Sequence, residues 1–492
     1  MKEIKVLSRS SFLAQIQTHL AIKKIKTIFK GSISSQYTQS IGDMDASSKS
    51  WEKHGFGVFT NSLSKQLHLN NADLVVHSFK DLPVKSSKKS KFICLNRDDP
   101  RDVLLVKKKS IRKSSLTIAT SSPRRKFYLR HLDKFLPNKK FKSNSIRGNI
   151  TTRLEKIISS SKHDGIFMAK AAIDRVFQHG QRINNQEFQK FKKYFKQFEY
   201  IILPLSNFPA AAAQGCIAIE YLAKNKKLDS ILQSINDPHS YHQAQLERKF
   251  LSRWGGGCAL DIGVTVENFL GQQILFARGK DEHTKKYFHE RKYLSKSKTK
   301  KVKHIFPANL KTYKMFKREP FPLKKDLSDK HILATRTEYL PKSKISKAGF
   351  LGTAGVTSWR KFNQIGVKIN YSFDGFGEKY RPIERYYIQS KLKPIKLTYK
   401  KNKISSTFQP LAHYQLVPSL NEQTIDNLFL AESFYWMSYS AFKLAIQLRP
   451  DILNKKNACG PGNTYQEISK IIPKEKLNVY LSYEDFKKYE LK

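Results

Sequence analysis

The chain is short of cysteine, of acidic residues and of long apolar runs, and each shortage excludes something. Its four cysteines, Cys94, Cys216, Cys258 and Cys459, lie far apart with no Cys-x-x-Cys pair. That indicates neither a zinc site nor a disulfide framework and fits a reducing compartment. No segment approaches the roughly 18 consecutive apolar residues of a membrane span, and Met1 to Ile16 carries charge where a secretion signal is apolar. A cytoplasmic protein with no membrane partner is expected. Asp and Glu number 40 against 91 Lys and Arg, a formal charge of +51. Such an excess predicts polyanionic partners, whether nucleic acid, an anionic membrane surface or a substrate with many carboxylates. The runs Lys107–Lys109 and Lys298–Lys303 read equally as solvated surface.

What is present is a globular composition, 39% hydrophobic and 12% aromatic, so the charge sits on folded domains. At roughly 150 residues per domain the length allows about three or four. Short β-like runs alternate with helical ones through the first half: Ile4–Leu7 then Ala14–Phe29, Asp73–Val76, Leu116–Ala119 then Arg124–Leu132, Asp164–Met168 then Ala171–Phe177, and Tyr200–Leu203. This is an α/β pattern. A helix over Ser240–Trp254 leads to Cys258, and Ile262–Val266, Gln273–Ala277 and Tyr287–Leu294 read as short antiparallel strands. Ser295–Lys330, lysine-rich with prolines at 307, 320 and 322, has linker composition. A second α/β region opens at His331–Ala334 and includes a helix over Ser440–Leu448. No internal repeat is evident.

Cys258 closes the run Trp254-Gly255-Gly256-Gly257-Cys258, where three glycines strip side-chain cover from a thiol. Such a sulfur is a core residue, a metal ligand, a nucleophile or an attachment point for a covalent cofactor. Other segments place charged or hydroxylated side chains at the ends of strands, where open α/β sheets bind ligands. In Val76–Pro83 a strand runs into a polar turn, so Asp81 is either an acid/base group or a turn residue. Thr120-Ser121-Ser122-Pro123-Arg124-Arg125 ends a strand in hydroxyls before a proline suited to a first helical turn, an anion cradle of backbone N–H groups and two guanidinium forks. Arg147-Gly148-Asn149 and Arg153 follow, with Gly148 permitting close backbone approach, and Arg175 lies just past a strand–helix junction. Arginines of this kind grip carboxylates through paired hydrogen bonds or form surface ion pairs.

Taken in order, these segments resemble the hydroxymethylbilane synthase (porphobilinogen deaminase) family over about the first 300 residues. The resemblance rests on Ser8-Arg9 with Leu13-Ala14 and Gln17, His77–Pro83, Arg97 with Asp102, Thr120–Ser122 with Arg124-Arg125, Arg147–Asn149 with Thr152–Leu154, Gln214-Gly215, Glu220, and Glu247-Arg248 ahead of Gly257-Cys258. It implies a transferase that condenses four porphobilinogen units, with loss of ammonia, on a dipyrromethane cofactor held by a thioether to Cys258. It implies that Asp81 is the catalytic carboxylate, assisting deamination and ring coupling and favouring a cationic azafulvene-like intermediate. Lys80, Ser78, Thr120, Ser121, Ser122, Arg124, Arg125, Arg147 and Gly148 are then expected at the cofactor. Arg9, Gln17, Asn149, Arg153 and Arg175 are expected at the substrate, since each porphobilinogen brings an acetate and a propionate. The implied fold is α/β with an α+β third domain: two periplasmic-binding-protein-like lobes, 1–97 plus 204–222 and 98–203, and a small domain 223–300 carrying Cys258. A linker over 301–330 and a C-terminal α/β region over 331–492 complete it. Hinge strands near Arg97 and Tyr200 are expected to let the cleft accommodate a growing chain. A monomer is expected, with porphobilinogen as partner and neither metal nor nucleic acid bound.

The chain departs from the family pattern in places. Phe56 and Asn61 stand where lysines are usual, Pro209–Ala213 is one residue longer and lacks a glycine, and Asp261 replaces a proline. Residues 331–492 resemble, on fewer motifs, a reduced uroporphyrinogen-III synthase: Leu333–Arg336, Trp436–Ala441, and Cys459–Thr464 with its glycine turn before a helix. That leaves a bifunctional chain or a supporting module. The rival of another class is a basic nucleic-acid-binding protein whose tyrosines and phenylalanines stack on bases. Against it, the arginines sit at strand–helix junctions rather than along one stripe, and no RNP, KH or helix-turn-helix signature is present. A module that merely binds small anions needs no uncovered thiol.

Overall fold

The computed structural model describes residues 2–39, 60–84, 87–136, 139–255, 260–294, 300–388, 394–400 and 407–492. Phe56 and Cys258 therefore lie outside the described residues. The chain divides into two compact units, one of Met1–Asp133, Asn138–Asn268 and Gln273–Tyr293, the other of Lys134–Pro137, Phe269–Gln272 and Leu294–Lys492. The fold is mixed α/β, built on five sheets among the described residues.

Two five-stranded sheets of the first unit share one topology. The first runs Ser32–Thr38, Glu3–Arg9, Leu74–Ser78, Ile217–Leu222, Ser90–Cys94; its first three strands are parallel and Ile217–Leu222 is antiparallel to both neighbours. The second runs Lys140–Asn144, Ser115–Ala119, Gly165–Ala169, Asp102–Lys107, Phe198–Ile202, again with three parallel strands and an antiparallel fourth. Strands buried on both faces explain their continuous apolar runs: every residue of Asp102–Lys107 and Gly165–Ala169 is buried. The chain leaves the first sheet after Cys94, completes the second, and returns at Ile217, so residues 95–101 and 203–216 are the two crossings. A three-stranded sheet of Gly263–Phe269, Gln272–Lys280 and Tyr287–Tyr293 follows. The helix Phe12–Ile25 stops four residues before the expected Phe29, with Lys23 and Lys24 in its last turn, where cations suit the helix dipole.

The second unit holds a six-stranded and a four-stranded sheet. The stretch expected as a linker, 301–330, instead supplies a strand to each: Ile305–Phe306 pairs with Ser433–Trp436, and Phe316–Pro320 with Gln409–Pro418. Phe306 and Met315 are buried with Phe434 and Trp436 in one apolar cluster, so a few well-placed hydrophobes outweigh the lysines around them. Pro320 ends an edge strand, the position in a sheet that tolerates proline. Among the described residues no helix is long and apolar enough to cross a membrane.

Candidate active site

A cavity of about 730 Å³ lies at the carboxyl ends of the parallel strands of the first two sheets. Arg9 ends one strand, Ser78 another, and Phe167–Ala169 end a third, while Arg147–Asn149 lead into the helix Ile150–Ser159. Six Lys or Arg side chains line it, namely Arg9, Lys80, Arg125, Arg147, Arg153 and Lys156, against the carboxylates of Asp81 and Glu187. A polar wall with that imbalance suits a ligand bearing several carboxylates.

Asp81 closes a single 3-10 turn, Phe79–Asp81, directly after Leu74–Ser78, which delivers its carboxylate to the cavity mouth of a rigid strand. The turn is clamped from behind. Arg248 donates to Leu82 O at 3.0 Å, to Val84 O at 3.2 Å and to Pro83 O, and its guanidinium lies over the Phe79 ring at 5.0 Å. Three carbonyls facing one fork hold the backbone that follows Asp81, and the ring contact holds Phe79 before it. Removal from water pushes the Lys80 ammonium below its ordinary value, an effect that the Asp81 charge opposes. Arg153 is pushed down to about 10, first by burial and then by Arg125, Arg147 and Arg9. Like charges gathered around a cavity in this way are relieved when an anion enters.

The loop that carries Arg147 is set by hydrogen bonds. Ser121 Oγ donates to Ile146 O at 2.9 Å and accepts from Ile146 N at 3.1 Å. Asn149 caps the next helix, its Oδ1 accepting from Thr152 N at 2.8 Å, and Arg153 Nε donates back to Gly148 O at 2.7 Å. Gly148 has φ of +127°, and a Cβ there would come within 3.1 Å of Thr152 Cγ2. A glycine leaves its backbone open to the cavity. Gln17 and Ser78 bond each other on the opposite wall at 2.9 Å.

Residues 4–230 match the family described as "Porphobilinogen deaminase, dipyromethane cofactor binding domain". The probable porphobilinogen deaminase of Picrophilus torridus is 34% identical over 265 residues, 53% of this chain and 84% of that protein. The chain belongs to the porphobilinogen deaminase family. Porphobilinogen deaminases of Caldicellulosiruptor saccharolyticus, 33% identical over 269 residues, and Clostridium novyi, 35% over 274, cover 54% and 53% of this chain and 84% and 82% of themselves. Among solved structures, the periplasmic aliphatic sulphonate binding protein SsuA from Escherichia coli has a TM-score of 0.27 at 9% identity, covering 52% of this chain and 72% of that one.

In this member of the deaminase family the cavity gathers ten of the expected site residues: Arg9, Gln17, Ser78, Lys80, Asp81, Arg125, Arg147, Gly148, Asn149 and Arg153. Thr120, Ser121, Ser122, Arg124 and Arg175 are not among its lining. The three hydroxyls serve the backbone instead: Thr120 Oγ1 accepts from Ser122 N, Ser121 fixes the Arg147 loop, and Ser122 caps the helix Pro123–Leu129. Arg124 is buried against Asp102 and Tyr128. Arg175 bonds Asp98 Oδ2 and Gly215 O, both at 2.7 Å, and so ties one crossing segment to the other. Lys156, Ser10 and Ser11 line the cavity without having been anticipated. For Lys156 the signal was available, because it stands three residues after Arg153 on one helix face. The dipyrromethane of this family carries four carboxylates, and Lys80, Arg125, Arg147, Arg153 and the open backbone at Gly148 fit such a group.

Proposed function

We propose that the chain is a hydroxymethylbilane synthase: it joins four porphobilinogen molecules head to tail, releasing one ammonia at each step, and frees the linear tetrapyrrole by hydrolysis. The observation that carries this reading is the Asp81 carboxylate, placed at the end of a strand among the six cations of one cavity in a chain of the porphobilinogen deaminase family. When bound to Cys258, the dipyrromethane supplies the free pyrrole position to which the first substrate is attached. The residues of the chain do the rest. Arg9, Arg125, Arg147, Arg153 and Lys156 bind acetate and propionate groups, holding the reacting rings in register. As ammonia leaves the aminomethyl carbon, positive charge spreads onto the pyrrole nitrogen, and the Asp81 carboxylate accepts its N–H hydrogen bond and stabilises that charge. After the new carbon–carbon bond forms, the displaced ring proton passes to Asp81, with Lys80 alongside it.

The two α/β lobes are read as 1–97 plus 204–222 and 98–203, with 223–300 as the cofactor-bearing domain. The same reading makes the protein a cytoplasmic monomer, with porphobilinogen as its partner and neither nucleic acid nor membrane. Residues 331–492 are read as a uroporphyrinogen-III synthase-like module. Incubating the purified chain with porphobilinogen tests both parts: a linear tetrapyrrole is expected, together with an intact mass raised by two pyrrole units. Predominance of the type III uroporphyrinogen isomer assigns ring closure to the second module, and the type I isomer denies it. Absence of both product and added mass overturns the reading.

A further inference from the structure

Asp102 is not part of the cavity wall, yet two of the cations that face the cavity are tied to it. It opens the strand Asp102–Lys107 and is fully buried. Its Oδ2 accepts from Arg124 Nη1 at 2.8 Å and its Oδ1 from Arg125 Nη2 at 2.7 Å. Oδ1 also accepts from Gln214 Nε2 at 3.0 Å, and Oε1 of that amide accepts from Lys80 Nζ at 3.3 Å. Burial works against the Asp102 carboxylate, but the two guanidiniums outweigh it and hold its pKa well below the carboxylate range. The group is therefore charged throughout the working pH range. Arg124 also donates to Pro209 O at 3.1 Å and lies over the Tyr128 ring, whereas Arg125 donates to Phe167 O at 3.2 Å and still reaches the cavity.

The order of these contacts matters. Lys80 follows a strand of the first sheet, Arg125 belongs to the second lobe, and Gln214 sits on the returning crossing between them. One hydrogen-bonded chain, Lys80–Gln214–Asp102–Arg125, thus runs from lobe to lobe behind the cavity. We infer that Asp102, acting through Gln214, is a positioning residue that fixes the spacing of Arg125 and Lys80, so that the two cations grip carboxylates of the bound pyrrole rings on either side of Asp81. The inference rests on the function proposed above.

The test compares Asp102→Asn and Gln214→Leu with the unaltered chain. In Asp102→Asn the arginines lose their shared counter-charge, and KM for porphobilinogen rises on the order of tenfold while kcat changes far less. The Asp102 charge also favours the Lys80 ammonium, so its removal moves the basic limb of the pH dependence of 1/KM to lower pH. A merely structural role leaves that limb in place. Gln214→Leu keeps the ion pairs, raises KM by less, and serves if Asp102→Asn does not fold. Single-turnover rates of the unaltered chain and of each variant at graded porphobilinogen concentrations give an apparent Kd independent of product release, and the same order of weakening is expected. Variants that fold with unchanged Kd and an unmoved limb overturn the inference. An unaltered chain that makes no tetrapyrrole tells instead against the proposed function.

Discussion

In the proposed reaction Asp81 works from a backbone position that a side chain remote in sequence, Arg248, holds still. Replacing it with Ala removes the one carboxylate able to stabilise charge on the pyrrole nitrogen, and tetrapyrrole formation is expected to fall below detection while circular dichroism is unchanged. Cys258→Ser is expected to abolish formation as well and to lose the added mass. Cys216→Ser is expected to retain turnover, because Cys216 is buried in an apolar cluster with Cys94 and Ala213. Gly215 is a different kind of site. Its φ is +90° and a Cβ would lie 2.4 Å from Asp98 O, in the turn where Arg175 binds Gly215 O. Gly215→Ala is expected to cost about 1–3 kcal/mol, read as a lower denaturant midpoint at unchanged slope. Ala213 shows the opposite economy: φ is +59°, and the residue is held there by Glu247 Oε2, which accepts from its N–H at 2.6 Å. The structure places Asp81 in the cavity lining, and its position in a polar turn at a strand end was legible in the sequence. That Arg124 and Arg175 are spent on Asp102 and Asp98 was not, because their partners lie 22 and 77 residues away.

At the scale of elements, the helix Ile150–Ser159 is the unit that presents Arg153 and Lys156. It starts where Asn149 caps it, and removing that cap in Asn149→Ala is expected to cost about 0.5–2 kcal/mol. Hydrogen exchange at the amides of Thr151 to Arg153 is expected to accelerate, with a rise in KM because Arg153 loses its fixed helix start. Unchanged protection there would show that tertiary packing alone sets the first turn. Some strands were visible in the alternation of apolar runs, as at His331–Ala334, where expectation and strand coincide, whereas others such as Asp102–Lys107 and Ile217–Leu222 were not read. Helix ends were less visible, since Phe12–Ile25 stops at Ile25 although apolar residues continue to Phe29. The stretch 301–330 was misread because its composition is that of a solvated segment, while two short strands depend on partners more than 90 residues away.

At the scale of the whole molecule, every residue that lines the cavity belongs to the first unit. A chain ending after Leu294 is therefore expected to keep porphobilinogen turnover, measured as tetrapyrrole formed per unit time, and any isomer control by the second module is expected to vanish. The second unit carries its own acid sensitivity. His331 is buried, bonded to Tyr371 Oη at 2.8 Å, and pushed down to about 4 by that burial. Since its folded value lies below the ordinary 6.5, the unfolded chain takes up the proton first as pH falls. Stability from this group is complete above about pH 6.5 and is lost as pH drops toward 4. Buried Trp359 and Trp436 report on the same unit, so their fluorescence is expected to show unfolding at lower denaturant at pH 5 than at pH 7. His331→Phe should remove part of that difference.

The sequence by itself determined the class of the fold, the family, the carboxylate at Asp81 and the surplus of cations, because apolar periodicity and short motifs are local properties written in neighbouring residues. Only the tertiary structure decided which cations face the cavity. Arg124 and Arg125 are adjacent and chemically identical, yet one buried carboxylate at Asp102 pairs with both, and of the two only Arg125 lines the cavity. That choice depends on distances between side chains far apart in the chain, and packing alone sets them.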